Sequence, residues 1–144
     1  MSRIFLTAFL WIVIVLSAQA KDAIIRVTAS HLRANGFVFA VTNVPLSNGV
    51  AFHITITASR GELPAVSDCK LYVATSPTKS YPIGSAVPGI RVAVKKARRV
   101  WKAQFVVSDE LLTDAGTSFV FSVFDHEGPG ADHYVVKLRD FTKQ

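Results

Sequence analysis

The stretch AFHITITAS, residues 51–59, decides the fold class of this chain. Within it the apolar side chains of Phe52, Ile54 and Ile56 alternate with polar ones. A period of two is typical of a β-strand with one face in a core and the other in water. Isoleucine and threonine are β-branched, which favours a pleated strand over a helix. The stretch therefore predicts a half-buried strand.

The same alternation recurs along the chain between short turns rich in glycine, proline and asparagine. The other predicted strands are residues 23–29, 37–43, 69–75, 90–95, 100–107, 117–125 and 133–141. About eight short strands at fairly even spacing are typical of a sandwich or a barrel, and no long helix separates them. We expect an all-β protein with two antiparallel sheets packed as a β-sandwich.

One segment, residues 108–116, has a helical pattern instead. Ser108 can cap a helix, Asp109 and Glu110 suit its positive end, and Gly116 can end it. A short helix here predicts a crossover from one sheet to the other. That layout resembles the penultimate crossover of immunoglobulin-like and fibronectin type III domains. The disulfide pair of true immunoglobulin domains is missing, because the chain has one cysteine.

The first twenty residues have the pattern of a signal peptide. Arg3 precedes an almost entirely apolar run over residues 5–16, and Ala18-Gln19-Ala20 follows as a small-x-small cleavage pattern. We therefore expect residues 1–20 to be removed and residues 21–144 to form one secreted or periplasmic domain. An uncleaved N-terminal anchor is the alternative. No long apolar run follows, so we expect no membrane span after cleavage.

The formal net charge is +6 at pH 7, which favours anionic partners. Basic residues concentrate where a hairpin tip is expected, around Trp101, whose side chain the alternation of residues 100–107 places inward. The candidate ligand-binding residues are Lys95, Lys96, Arg98, Arg99 and Lys102. Several charge-assisted contacts there could hold an anionic polysaccharide or a partner protein. The alternative is a solvated turn whose charges protect a sheet edge. Export argues against nucleic acid as the partner.

A second polar cluster occupies residues 125–133, between the last two predicted strands. Alternation sends His126 and His133 outward, where they could meet across the hairpin. With Asp132 they form a candidate metal site of nitrogen and oxygen ligands. The spacing follows no established zinc motif, and an ordinary polar turn is the alternative.

No motif for catalysis stands out. The sequence has neither a Gly-x-Ser-x-Gly elbow nor a phosphate-binding glycine loop. Cys69 shares its face with Leu71 and Val73, which predicts a buried thiol. We therefore expect no enzyme and no cofactor.

The expected function is that of an exported binding module. It would recognise a partner protein or an anionic glycan through loops at the sandwich ends, with residues 76–89 and the basic turn as candidates. The alternatives are an envelope assembly subunit that pairs through a sheet edge, and a metal-binding protein that uses the turn at 125–133. The pattern leaves the oligomeric state open.

Overall fold

A computed structural model describes residues 22–75, 86–125 and 130–142 of the chain. The predicted signal peptide lies outside the described residues. Within them are nine strands and one short α-helix. The strands are β1 (Ala23–Val27), β2 (Arg33–Ala34), β3 (Phe37–Pro45), β4 (Gly49–Ala58), β5 (Cys69–Ala74), β6 (Ala93–Lys96), β7 (Val100–Ser108), β8 (Ser118–Phe124) and β9 (Ala131–Lys137), and the helix is α1 (Asp109–Leu112). No helix in this part of the chain is long and apolar enough to span a membrane.

The strands form two sheets, which confirms the predicted two-sheet, mostly β architecture. One sheet has the order β1-β9-β8-β5 and the other the order β2-β3-β4-β7-β6. The expectation that all strands pair antiparallel is wrong for β1, which pairs parallel with β9. Antiparallel pairing is imposed on neighbours joined by a tight turn, whereas these two strands come from opposite ends of the domain. This mixed sheet does not confirm an immunoglobulin or fibronectin topology.

The core lies between the two sheets and is rich in aromatic rings. Phe105 stacks on Phe52 at 5.5 Å from one side and on Phe119 at 5.5 Å from the other. Trp101, predicted to point inward, is buried and meets Phe121 edge to face. Offset and edge-to-face contacts of this kind stabilise a core beyond the area they bury. The inward rows of the predicted strands therefore do form the interior.

Turn chemistry and capping follow the sequence closely at two places. Asn35 and Gly36 have positive φ angles of 48° and 85° and join β2 to β3, as the Asn-Gly dipeptide predicts. Ser108 caps α1, with its Oγ accepting from the Leu111 amide at 3.3 Å. The helix connects β7 in the five-stranded sheet to β8 in the four-stranded sheet, which confirms the predicted crossover.

Strand boundaries differ from the prediction at two places. Residues 138–141 form a 3₁₀ turn instead of extending β9. Leu138 nevertheless keeps its inward position, fully buried, and its amide donates to the Thr117 carbonyl in the register of the β8–β9 pair. Residues 90–92 precede β6 without joining it, yet Ile90 and Val92 still pack against the core. Alternation therefore marked the buried side chains correctly even where the backbone left the sheet.

Candidate functional site

In the described part of the chain, a concavity lies on the outer face of the five-stranded sheet. We call it the outer groove. Two adjoining depressions, of about 500 and 370 Å³, share His53 and Gln104. The polar side chains of the larger one are Thr42, His53, Thr55, Lys95, Lys102 and Gln104.

Strand alternation explains why these residues meet. On β4 the core takes Phe52 and Ile54, so His53 and Thr55 must face outward. The strand register then sets His53 opposite Gln104 on β7, and the Gln104 Nε2 lies 2.8 Å from the His53 Nδ1. The result is a row of hydrogen-bonding groups across three neighbouring strands.

Two lysines stand directly opposite each other at one end of the groove. Lys95 on β6 pairs with Lys102 on β7, and both side chains face outward. Like charges in this position destabilise a sheet. No acidic side chain lines the groove among the described residues, and Arg91 adds a third cation in the adjoining depression. An anion bound between the two lysines would relieve their repulsion.

The other three candidate cations are directed elsewhere. The Lys96 Nζ lies 5.6 Å from the centre of the Trp101 ring, on the opposite side of the sheet from Lys95. Arg98 forms an ion pair with Glu62, and the Arg99 guanidinium donates to the Ala58 carbonyl at 3.2 Å. The structure therefore brings together two of the five predicted residues, Lys95 and Lys102. Trp101 is buried and offers no platform for a sugar ring.

The candidate metal ligands are separated where the structure describes them. Asp132 and His133 are consecutive on β9, so their side chains leave opposite faces of the sheet. His126 lies outside the described residues. In the described ranges no group of three or more histidine, cysteine, aspartate or glutamate side chains could hold a metal ion.

His133 belongs instead to a buried polar series that the sequence reasoning missed. Its Nδ1 lies 2.7 Å from the Ser122 Oγ, and its Nε2 lies 3.9 Å from the Asp22 Oδ2. The expectation that this imidazole faces water is wrong, because its exposed fraction is zero. The available signal was the alternation of β8 and β9, which sends Ser122 and His133 to the same face of one hairpin.

A serine, a histidine and an aspartate in series suggest a hydrolase, but the surroundings argue against one. Ser122 is fully buried, so a substrate cannot reach its hydroxyl. Its strand, β8, is paired on both sides by β5 and β9, which engages the backbone amides that an oxyanion hole would need. The buried Ser122–His133 contact therefore links β8 to β9, and the Asp22 carboxylate, which is partly exposed, lies beside it.

Cys69 is the one thiol of the chain, and it is half-buried. Burial raises the pKa of Cys69 to about 11, and the charge of Asp68 adds to the increase. The positive charge of Lys96 lowers the pKa of Cys69, but by less than burial and Asp68 raise it. Because the thiolate is the nucleophile, such a thiol is a poor catalyst at neutral pH.

Comparisons of the chain with protein-family models, curated proteins and solved structures found no match. The function must therefore be inferred from the residues themselves, and the outer groove is the feature best suited to binding a ligand.

Proposed function

We propose that this chain is an exported, non-catalytic binding module that holds an anionic polysaccharide in the outer groove. The proposal rests on one observation: Lys95 and Lys102 face each other across β6 and β7 with no acidic partner in the described groove lining. An anion bound between the two lysines would relieve their repulsion and add charge-assisted contacts. Because β6 is an edge strand, protection of the sheet edge is the alternative reason for the pair.

The rest of the groove supports a polysaccharide as the anion. Thr42, Thr55 and Gln104 offer hydroxyl and amide groups that can bond to sugar hydroxyls. The two depressions adjoin at His53 and Gln104 on the outer face of the sheet, which suits an extended ligand. This position differs from the expected loops at the sandwich ends, of which residues 76–85 lie outside the described part.

Calorimetric titration tests the proposal. The probes are a heparin hexasaccharide, which is sulfated, and an oligogalacturonate, which is carboxylated. We expect the Lys95→Ala/Lys102→Ala variant to bind at least about tenfold more weakly than the parent, since charge-assisted contacts contribute about 1.5–3 kcal/mol each. Binding should also weaken steeply with salt.

The matched control is the Arg60→Ala/Lys70→Ala variant. It removes the same charge from two exposed residues outside the groove, and we expect its affinity to stay within about twofold of the parent at physiological salt. Equal losses in the two variants would show that net charge alone attracts the probe, and the proposed groove would be wrong. Absence of binding to both probes would also reject it.

Export is the second part of the proposal, and it has its own test. N-terminal sequencing of the protein recovered outside the cytoplasm should begin at Lys21. A chain that retains Met1 in a membrane pellet would instead support the anchor.

A further inference from the structure

His53 lies at the middle of the outer groove, where the two depressions adjoin. The strand register sets it opposite Thr42 on β3 and opposite Gln104 on β7. Its side chain is partly exposed, so the imidazole can meet both water and a bound ligand. Histidine is the side chain whose charge ordinarily changes between about pH 5 and 8. The centre of the groove therefore holds a group that can gain a positive charge under mild conditions.

The contact between His53 and Gln104 can accommodate both forms of the imidazole. The Gln104 Nε2 carries only hydrogens to donate, and it lies 2.8 Å from the His53 Nδ1. The Nδ1 therefore accepts, which corresponds to a neutral ring with its proton on Nε2. A protonated ring donates from both nitrogens, and a half-turn of the Gln104 amide would then present Oε1 as the acceptor. His53 can thus gain a proton and keep a hydrogen bond to Gln104.

The charged side chains that face His53 in the described part of the groove are all basic. Lys102 lies two residues from Gln104 on β7, which is the diagonal position, about 7–8 Å from His53 between Cα atoms. Lys95 on β6 and Arg91 before it line the same groove, whereas β3 contributes the uncharged Thr42. In the empty groove these three cations oppose a fourth positive charge on the imidazole.

A bound anion reverses this balance. A sulfate or carboxylate group between the basic side chains offsets their repulsion of the imidazolium. The imidazolium can then donate a charge-assisted hydrogen bond from Nε2 to the anion. We propose that anion binding in the outer groove is coupled to proton uptake by His53, so that the groove holds its polysaccharide more tightly in acid. This inference rests on the proposed function and adds the regulation of the same site.

The coupling has the same size in both directions. A ligand that favours the protonated ring must bind more tightly where the ring is already protonated. One hydrogen bond from a charged donor in a groove open to water and salt changes an affinity by up to about tenfold. We therefore expect a heparin hexasaccharide, whose sulfate groups stay ionised, to bind about three- to tenfold more tightly at pH 5.5 than at pH 8.

Calorimetric titration at constant ionic strength measures both the affinity ratio and the protons. At an intermediate pH, two buffers with different heats of ionisation report the protons taken up on binding, and we expect a net uptake of up to about one proton per complex. The His53→Gln variant keeps a polar side chain that cannot be charged. Its affinities at the two pH values should agree within about twofold, and its binding should take up no proton.

The matched control is His31→Gln, which removes an exposed histidine outside the groove and should keep the pH dependence of the parent. Circular dichroism at both pH values verifies that parent and variants are folded. Equal parent affinities at pH 5.5 and pH 8 overturn the coupling, and so does a pH dependence that His53→Gln retains. Both results leave the polysaccharide proposal standing, because its own test is the Lys95→Ala/Lys102→Ala variant. Absence of binding at both pH values rejects the proposed function and the coupling together.

Discussion

The imidazole of His133 joins two strands of the four-stranded sheet through its 2.7 Å contact with Ser122. Replacing it with alanine removes a fully buried ring and leaves the Ser122 hydroxyl without this bond. We expect His133→Ala to lower the free energy of unfolding by about 2–4 kcal/mol and Ser122→Ala by about 1 kcal/mol. Urea denaturation followed by tryptophan fluorescence measures both.

The matched control is His53→Ala, because His53 is a partly exposed histidine on a strand. We expect His53→Ala to lower the free energy of unfolding by less than about 0.5 kcal/mol. A Ser122→Ala variant as stable as the parent would show that the buried pair does not stabilise the sheet.

Cys69 provides a prediction about pH. Because burial raises its folded-state pKa to about 11 from a usual value of 9.0, the thiolate at pH 8 is about 100-fold scarcer in the folded chain than in the unfolded chain. A thiol-exchange reagent at pH 8 should therefore react much more slowly with native than with denatured protein. Rapid labelling of the native chain would contradict this description of the thiol.

The sign of the linked stability change follows from the same shift. The unfolded chain loses the thiol proton first as pH rises, so deprotonation favours unfolding. The contribution of Cys69 to stability is complete below about pH 9 and is lost between about pH 9 and 11. A Cys69→Ser variant should lose this part of the alkaline decline in urea midpoint.

Single-residue prediction succeeded where alternation alone decides the environment. Trp101 and five phenylalanines of the inner rows are buried as expected, whereas Phe37 is half-buried. Alternation also gave the outward direction of His133, but it cannot say whether an outward side chain is covered. For the same reason the local pattern could not distinguish the five basic residues from one another. Arg98 and Arg99 are bound by Glu62 and by the Ala58 carbonyl, which come from distant parts of the sequence.

At the level of elements, we expect the facing lysines of β6 and β7 to lower the stability of the fold while they favour heparin binding. Replacing Lys95 with glutamate sets opposite charges across the pair. We expect Lys95→Glu to raise the free energy of unfolding by about 0.5–1 kcal/mol and to abolish heparin binding at physiological salt. A variant that is less stable than the parent would show that the pair is not repulsive.

The helix α1 depends on its cap in the crossover between the sheets. Ser108→Ala removes the oxygen that accepts from the Leu111 amide, and we expect a loss of about 1 kcal/mol. Ser108→Asp keeps a side-chain acceptor for the Leu111 amide, so we expect it to retain most of the stability that Ser108→Ala loses. If both substitutions have the same effect in urea denaturation, the cap contributes nothing.

Element prediction failed where long-range pairing decides the outcome. The parallel partnership of β1 with β9 leaves no trace in the local pattern, because no turn connects the two strands. The strand β2 has only two residues and was too short to predict. In contrast, the crossover was predicted correctly, since its cap and its glycine are local signals.

For the whole molecule, the composition and alternation were enough for two layers around one core. They were not enough for the site. The outer groove exists because β3, β4, β7 and β6 lie side by side in that order, which places residues of distant segments together. The sequence predicted that Lys95 and Lys102 lie on one hairpin. It did not predict that His53, Thr42 and Thr55 line the same groove, because they lie on other strands.

Ligand binding in the outer groove can be located by titrating the isotope-labelled chain, residues 21–144, with a heparin hexasaccharide and following the backbone amide chemical shifts. We predict that the largest shifts fall on Thr55, Lys95, Lys102 and Gln104, on the outer face of the five-stranded sheet. Largest shifts at Arg98 and Arg99 would place the ligand at the hairpin turn, and an unchanged spectrum would show that the oligosaccharide does not bind. Either result would rule out polysaccharide binding in the outer groove.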